Sequence, residues 1–403
     1  MPNHEPILIA GAGPVGVLTA LALARAGFEV EVFEALDDVI TSPRAATTHP
    51  ATLEMIAELG LIDEFIDRGL VARMFQFWDR PSGRMVCEFD HDVLKNDTRF
   101  PFVVQTEQHK LAYMAIARVR ALGGRVHFAT RVDKVEMSDT GVSATVAGPQ
   151  RERTVKGQYL VGADGGRSTV RKALDIEFEG YTFPERFLVL TTPYDFAAQR
   201  GYCFRNYIAD PEAWTNLFKV AGDDGKGLWR AVFPTAPGES DEDCLSDEAV
   251  QGRMQKFFPK AGPYDIVHRN LYNVHQRVAK TFRKGRTFLA GDAAHVNNPI
   301  GGLGLNCGIH DAMDLSDLLI RVCRGDVPES ALDAYDRRRR PLNVEFVQQQ
   351  TIANKKRLEE RDPAVREANF ETLRKTAADP TAHRAFLMRT SLLDSVRKAR
   401  TIL

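Results

Sequence analysis

The stretch ILIAGAGPVGVLTALALARAG, residues 7–27, decides the fold. Residues 7–10 are an unbroken apolar run of strand length. Gly11, Gly13, Pro14 and Gly16 then mark a tight turn, and Val15 to Ala26 reads as a helix closed by Gly27. Glu29 to Glu34 has the texture of a second strand. The chain therefore opens as a βαβ unit, from which parallel sheets are built.

GAGPVG at 11–16 has glycine where such a unit needs it to hold a diphosphate. Gly11 permits the turn, Gly13 lets backbone approach phosphate, and Gly16 lets helix and strand pack closely. The helix start offers unpaired N–H groups and a partial positive charge. Glu34, closing the second strand, can accept hydrogen bonds from ribose hydroxyls. These residues point to an adenine dinucleotide and leave NAD and FAD both open.

Length and composition bound the rest. The 403 residues suffice for two or three structural units, with 44% hydrophobic and 27% charged residues. The net charge of −1 gives no broad field for nucleic acid. The basic run Arg337 to Arg340 reads as a solvated helix face. Five cysteines without CxxC spacing suit a reducing cytoplasm and predict no metal site. Residues 7–24 carry no charge, yet glycines and Pro14 interrupt them and no Lys or Arg precedes them, so no membrane span or export signal is expected.

Further along, helices are expected over Pro50 to Leu59 and Thr106 to Leu122, with strands near 125–129, 132–138, 142–147 and 154–162. From 186 to 275 aromatic, alternating segments separated by turns predict an antiparallel sheet. Helical periodicity returns at 308–323, and charged helices fill 331–403.

A second glycine-rich stretch, FLAGDAAHVNNPIGGLGLNCGIHDAMDL at 288–315, and a third motif, LVGADGGRSTVR at 160–171, complete a set. Together with GAGPVG they resemble the single-component flavoprotein aromatic hydroxylases typified by para-hydroxybenzoate hydroxylase. The texture of SPRAATTHPATLEMIAELG is similar to the 3-(3-hydroxyphenyl)propionate hydroxylase branch. The resemblance implies an α/β (α+β) fold with three parts. A discontinuous Rossmann-type FAD-binding domain would cover 1–75, 103–185 and 276–340. An antiparallel-sheet substrate domain would cover 76–102 and 186–275, and C-terminal helices 341–403.

It also implies residue roles. Gly11, Gly13, Pro14, Val15 and Gly16 would hold the diphosphate, with Glu34 and Ala35 at the ribose and Arg44 and Gln105 contacting FAD. Asp164 would lie near the pyrophosphate, with Ser168 and Arg171 shaping its loop. Asp292 would bond the ribityl chain. Pro299 would lie beside the reacting face, and the backbone of Gly302, Leu303, Gly304, Leu305 and Asn306 would approach the flavin ring. A helix beginning near Leu305 or Asn306 would direct its positive end at the charge of the reduced flavin. Tyr207 and Arg230 match positions that face substrate, Tyr207 at the phenol and Arg230 at a carboxylate. Here the family's GGQG is GGLG, with Leu303 in the polar slot, and its DAxN becomes Asp314. His295 reads as a residue that orients its loop, not as a proton-transfer group.

The implied reaction is hydroxylation of a phenolic or heteroaromatic ring by a flavin C4a-hydroperoxide, with NAD(P)H as transient reductant and O2 as oxidant. The oligomeric state stays open, a homodimer included. Two other readings are a reductase or halogenase of the same fold, the latter lacking its WxWxIP stretch here, and a non-enzymatic flavin-binding module.

Overall fold

The computed structural model describes residues 5–42, 46–149 and 151–402. Its first layer is a six-stranded sheet ordered Arg283–Lys284, Thr287–Leu289, Tyr159–Gly162, Ile7–Ala10, Val30–Phe33 and Arg125–His127. All neighbours run parallel except the Arg283–Lys284 hairpin edge. Ile7, Leu8 and Ile9 are fully buried, which explains the continuous apolar run: helices or loops cover both faces of the sheet.

The helix Pro14–Arg25 is buried almost all round. It packs against the helices Gln108–Ala121 and Gly304–Arg324 as well as the sheet, so no side is left for charge. Its apolar length thus reflects a buried position inside the protein. Among the described residues no helix is long and apolar enough to cross a membrane.

The second layer is an eight-stranded sheet. In order it runs His295–Val296, His268–Ala279, Phe178–Thr192, Leu228–Pro234, Thr215–Val220, Arg205–Ala209, Met74–Asp79 and Arg84–Asp90. It is antiparallel apart from one pairing, Arg205–Ala209 beside Met74–Asp79, which is parallel. Those two strands are far apart in sequence, so no hairpin fixes their direction. The parallel register sets Tyr207 beside Phe77.

The sequence expectation of one strand over 154–162 becomes two, Glu152–Gly157 and Tyr159–Gly162, which join different sheets. Three helices inside the sheet region, Phe196–Arg200, Asp241–Leu245 and Asp247–Phe257, were not anticipated. Asp195, Ser240 and Ser246 cap them in turn, and Phe196, Val250, Met254 and Phe257 pack beneath the sheet.

C-terminal to the sheets, one nearly continuous helical rod runs through Asp333–Asn343, a π-helical turn Val344–Gln348 and Gln349–Leu358. The helices Pro363–Ala378, Pro380–Thr390 and Leu393–Ala399 follow. They bury Phe370, Leu373, Leu387 and Met388 in the same cluster as Phe75, Phe77 and Tyr207 of the second sheet.

Candidate functional site

Three adjacent parallel strands place the three motifs together. Ile7–Ala10 feeds Gly11, Tyr159–Gly162 feeds Asp164, and Thr287–Leu289 feeds Gly291. The motifs therefore leave the same, carboxyl edge of one sheet, where open α/β sheets bind ligands.

Contact between the motifs is close enough to exclude side chains. Gly11 has φ +102°, and a Cβ there would lie 2.3 Å from Ala163 O. A Cβ on Gly291 (φ +59°) would lie 2.9 Å from Val15 Cγ2, and one on Gly308 2.7 Å from that same atom. Arg171 ties the middle motif to the late one: Nη1 donates to Ala293 O at 2.8 Å and Nη2 to Gly166 O at 2.8 Å.

Two helix starts converge here. Neither Pro14–Arg25 nor Gly304–Arg324 has a side-chain cap or an acid in its first turn. Their first amides are thus open to an external acceptor. Gly13 has open space where a Cβ would stand. Asp292, Pro299 and Ala35 are exposed and Gly302, Gly304 and Leu305 partly so, beside buried neighbours on each loop. Open amides at both ends of a continuous rim fit a long dinucleotide such as FAD.

Other predicted residues brace the loops. Glu34 accepts from Ala12 N at 2.7 Å and Leu36 N at 3.0 Å, fixing the first turn. Asp164 accepts from Ser168 Oγ and from the amides of Thr169 and Val170, capping a short helix. Gln105 accepts from Thr47 Oγ1 at 2.6 Å. Asn306 donates to Thr47 O and Gly302 O and accepts from His49 N. Together they clamp the late loop to the strand Thr47–Thr48. The Leu303 side chain is fully buried in the second core cluster, so the residue in the family's polar slot points into protein. Asp314 pairs with Arg338 at 2.9 Å, a structural use. Arg44 lies outside the described residues.

A buried ionic cluster registers the late loop. Asp311 accepts from Arg339 Nε at 2.7 Å and from Gly291 N at 3.1 Å, and bonds His295 Nε2 at 2.6 Å. Burial opposes the charge on Asp311, yet His295 and Arg339 hold its carboxyl below the ordinary value. Burial likewise opposes a charged His295, but Cys307 and Asp311 raise it to about 10. His295 thus orients its loop through an ion pair. The ligand atoms of His295, Cys307 and Asp311 lie within 4.8 Å of one another, the spacing of a metal site. Arg339, also 3.3 Å from Cys307 Sγ, already supplies a cation to this group. Sequence reasoning missed Asp311 and placed Arg339 in a solvated basic face, whereas Arg339 turns inward, 2% exposed, to pair with Asp311. Their one signal was that Asp311 falls at helical spacing on the same face as Leu315, Leu318 and Leu319.

Over the late loop lies an aromatic cleft lined by Phe75, Phe77, Arg205, Tyr207, Gly301 and Phe386, among others. Tyr207 stacks on Phe77 with centroids 5.2 Å apart, and its hydroxyl accepts from Arg205 Nε at 3.1 Å and Nη2 at 2.6 Å. Arg230 is elsewhere, buried with Nη2 3.9 Å from Glu107. Tyr202 packs against Trp78 and Trp214 against Phe187, within the core of the sheet layer and not among the residues that line the cleft. The rod Gln349–Leu358 lines the cleft too, and Asn354 Nδ2 donates to Ile300 O at 3.3 Å. No motif marks these helical residues, because they act through packing.

The FAD binding domain family model matches residues 4–350. Para-nitrophenol 4-monooxygenase of Pseudomonas sp. (strain WBC-3) is 33% identical over 396 residues, covering 96% of each chain. 6-Hydroxy-3-succinoylpyridine 3-monooxygenase of Pseudomonas putida (strain DSM 28022 / S16) is 33% identical, covering 90% of this chain and 91% of that one. The crystal structure of p-nitrophenol 4-monooxygenase from Pseudomonas putida DLL-E4 superposes with a TM-score of 0.90 at 32% identity, covering 95% of this chain and 96% of that one.

Proposed function

Because this chain belongs to the FAD-binding-domain family of flavoprotein aromatic hydroxylases, we propose that it hydroxylates a single-ring phenol or hydroxypyridine with NAD(P)H and O2. It is an FAD-dependent monooxygenase. The relatives that carry this reading are named for a nitrophenol and a hydroxylated pyridine.

The observation that supports it most is the meeting of Val15, Gly291 and Gly308. It sets one open helix start at the diphosphate end of a shared rim and another under the aromatic cleft. Bound FAD would supply the redox chemistry, accepting hydride from the nicotinamide and delivering electrons to oxygen. In this assignment the parallel layer holds the FAD and the eight-stranded sheet, with the C-terminal helices, encloses the substrate.

The residues divide the work. Gly11, Gly13, Pro14, Val15 and Gly16 cradle the diphosphate, Glu34 and Ala35 meet the ribose, and Asp164 shapes the pyrophosphate loop. Asp292 holds the ribityl chain. The amides of 302–306, with Pro299, face the ring, their positions set by Gln105 and Asn306. An open helix start stabilises negative charge there without rearrangement of solvent. Tyr207, whose oxygen already accepts two N–H groups from Arg205, keeps its own proton to donate to a substrate oxygen. The aromatic walls exclude water from the reacting atoms. The five free cysteines suit a reducing cytoplasm.

The test is substrate-stimulated NAD(P)H oxidation by the yellow holoprotein across phenols and hydroxypyridines, with isotopically labelled O2 traced into product. Product formation in the strict absence of oxygen would refute the reading.

A further inference from the structure

Arg205 is 6% exposed. Its guanidinium lies 4.8 Å from the Phe75 ring centroid and 5.3 Å from that of Tyr207. Its hydrogen bonds go to neutral acceptors, the Tyr207 hydroxyl and, at 3.3 Å, Gly301 O. Among the described residues no carboxylate stands within ion-pair distance of it. Two of the other deeply buried arginines pair with acids, Arg339 with Asp311 at 2.7 Å and Arg230 with Glu107 at 3.9 Å. Arg171, which bonds backbone carbonyls inside the motif loops, has the charge of Asp164 acting on it. The histidines whose electrostatics Arg205 touches, His49 and His91, are both held neutral, first by burial and then by Arg205 itself.

Neutral acceptors satisfy N–H groups but do not balance the charge. A buried cation without a counter-charge is costly, and this one faces the cleft rather than the core. We propose that Arg205 is the specificity-determining residue of the cleft and that the substrate enters as an aromatic anion, its charged oxygen, phenolate or carboxylate, bound by Arg205 and Tyr207. The ring then lies among Phe75, Phe77 and Phe386, against the loop at Gly301. A phenolate bound this way is also the more electron-rich ring, as oxygen transfer to carbon requires.

The proposal rests on the monooxygenase reading, and the two fail separately. Holoenzyme is titrated with matched anionic and neutral ligands, para-nitrophenolate against para-nitroanisole and para-hydroxybenzoate against para-hydroxybenzamide. Perturbation of the flavin absorbance gives each Kd. The expected result is binding of at least one anion roughly 10- to 100-fold tighter than its neutral partner. The favoured pair tells phenolate from carboxylate. Arg205→Met should abolish the preference and Arg205→Lys retain most of it, both at unchanged FAD content. Equal affinity within both pairs for the wild type, or a preference surviving in Arg205→Met, overturns the proposal. Should neither variant retain FAD, the wild-type pairs alone decide. Absence of FAD or of stimulated NAD(P)H oxidation would refute the parent reading. Calorimetry would still report whether the cleft selects anions.

Discussion

Val15 and Gly291 meet although about two thirds of the chain separates them: a Cβ on Gly291 would stand 2.9 Å from Val15 Cγ2. Gly308, one helical turn into Gly304–Arg324, presses on that same methyl. The two glycine loops are therefore one joint, and its tolerance for added volume is close to zero.

Gly308→Ala should expose this. On a helix, alanine normally gains about 1 kcal/mol over glycine. Here the new methyl would meet Val15 Cγ2 at 2.7 Å and Gly291 Cα at 3.0 Å, an overpacking that costs about 1–3 kcal/mol. The expected outcome is a lower Tm and earlier release of FAD fluorescence on heating. Gly252→Ala, on the helix Asp247–Phe257 with nothing within 4 Å, is the control and should raise Tm. Equal Tm changes in the two variants would contradict the joint.

How much of this was legible beforehand follows a physical division. Glycines at 11, 13 and 16, the 3.6-residue periodicities and the alternation in 186–275 are local signals, and the elements they predict are present. Tyr207 was found through its local pattern and does line the cleft. Arg230 matched equally well but sits beside Glu107, since a short pattern does not report which face of a strand is covered. Arg205, two residues before Tyr207 on the same strand face, went unnoticed because only its missing partner makes it unusual. Asp311, Arg339 and Asn354 act across long sequence separations, which no local window contains.

Asp311→Asn tests the buried cluster. The change leaves Arg339 without its carboxylate at 2.7 Å and weakens the bond to Gly291 N. Removing one partner of a fully buried pair costs about 3–5 kcal/mol. Asp224→Asn, in an exposed pair with Lys226, should leave the unfolding midpoint essentially unchanged. Denaturant unfolding of both variants measures the difference, and similar midpoints would remove Asp311 from its structural role.

Acid should weaken the protein through histidines held neutral. Burial, followed by Arg205, pushes His91 down to about 3. Burial, followed by Arg339, does the same to His310, and His49 also falls well below its usual value. Each protonates near its ordinary value once unfolded. The stability they contribute is thus complete above about pH 6.5 and lost as pH falls toward about 3, at up to about 1.4 kcal/mol per site and pH unit. His295 is raised instead and stays charged throughout that window, so it does not add to the slope. His310→Gln, which keeps a partner for Thr52 Oγ1, should flatten the fall in urea stability between about pH 7 and about pH 5. An unchanged slope would mean that His310 is already charged in the folded state.

Phe386 tests whether the C-terminal helices belong to the catalytic unit. It sits on Pro380–Thr390, packs tilted against Phe89 with centroids 4.5 Å apart, and lines the cleft together with Tyr207. It belongs to none of the three motif loops and, among the described residues, makes no hydrogen bond to them, so trimming it should leave FAD binding intact. Loss of ring contact weakens ground and transition state alike, which raises KM and spares kcat. For Phe386→Leu the expected rise in KM is about tenfold, with unchanged FAD content and unchanged NAD(P)H oxidation in the absence of substrate. A variant that lost FAD but bound substrate normally would instead make these helices a brace for the parallel layer. The cleft would then have to be closed by the eight-stranded sheet alone.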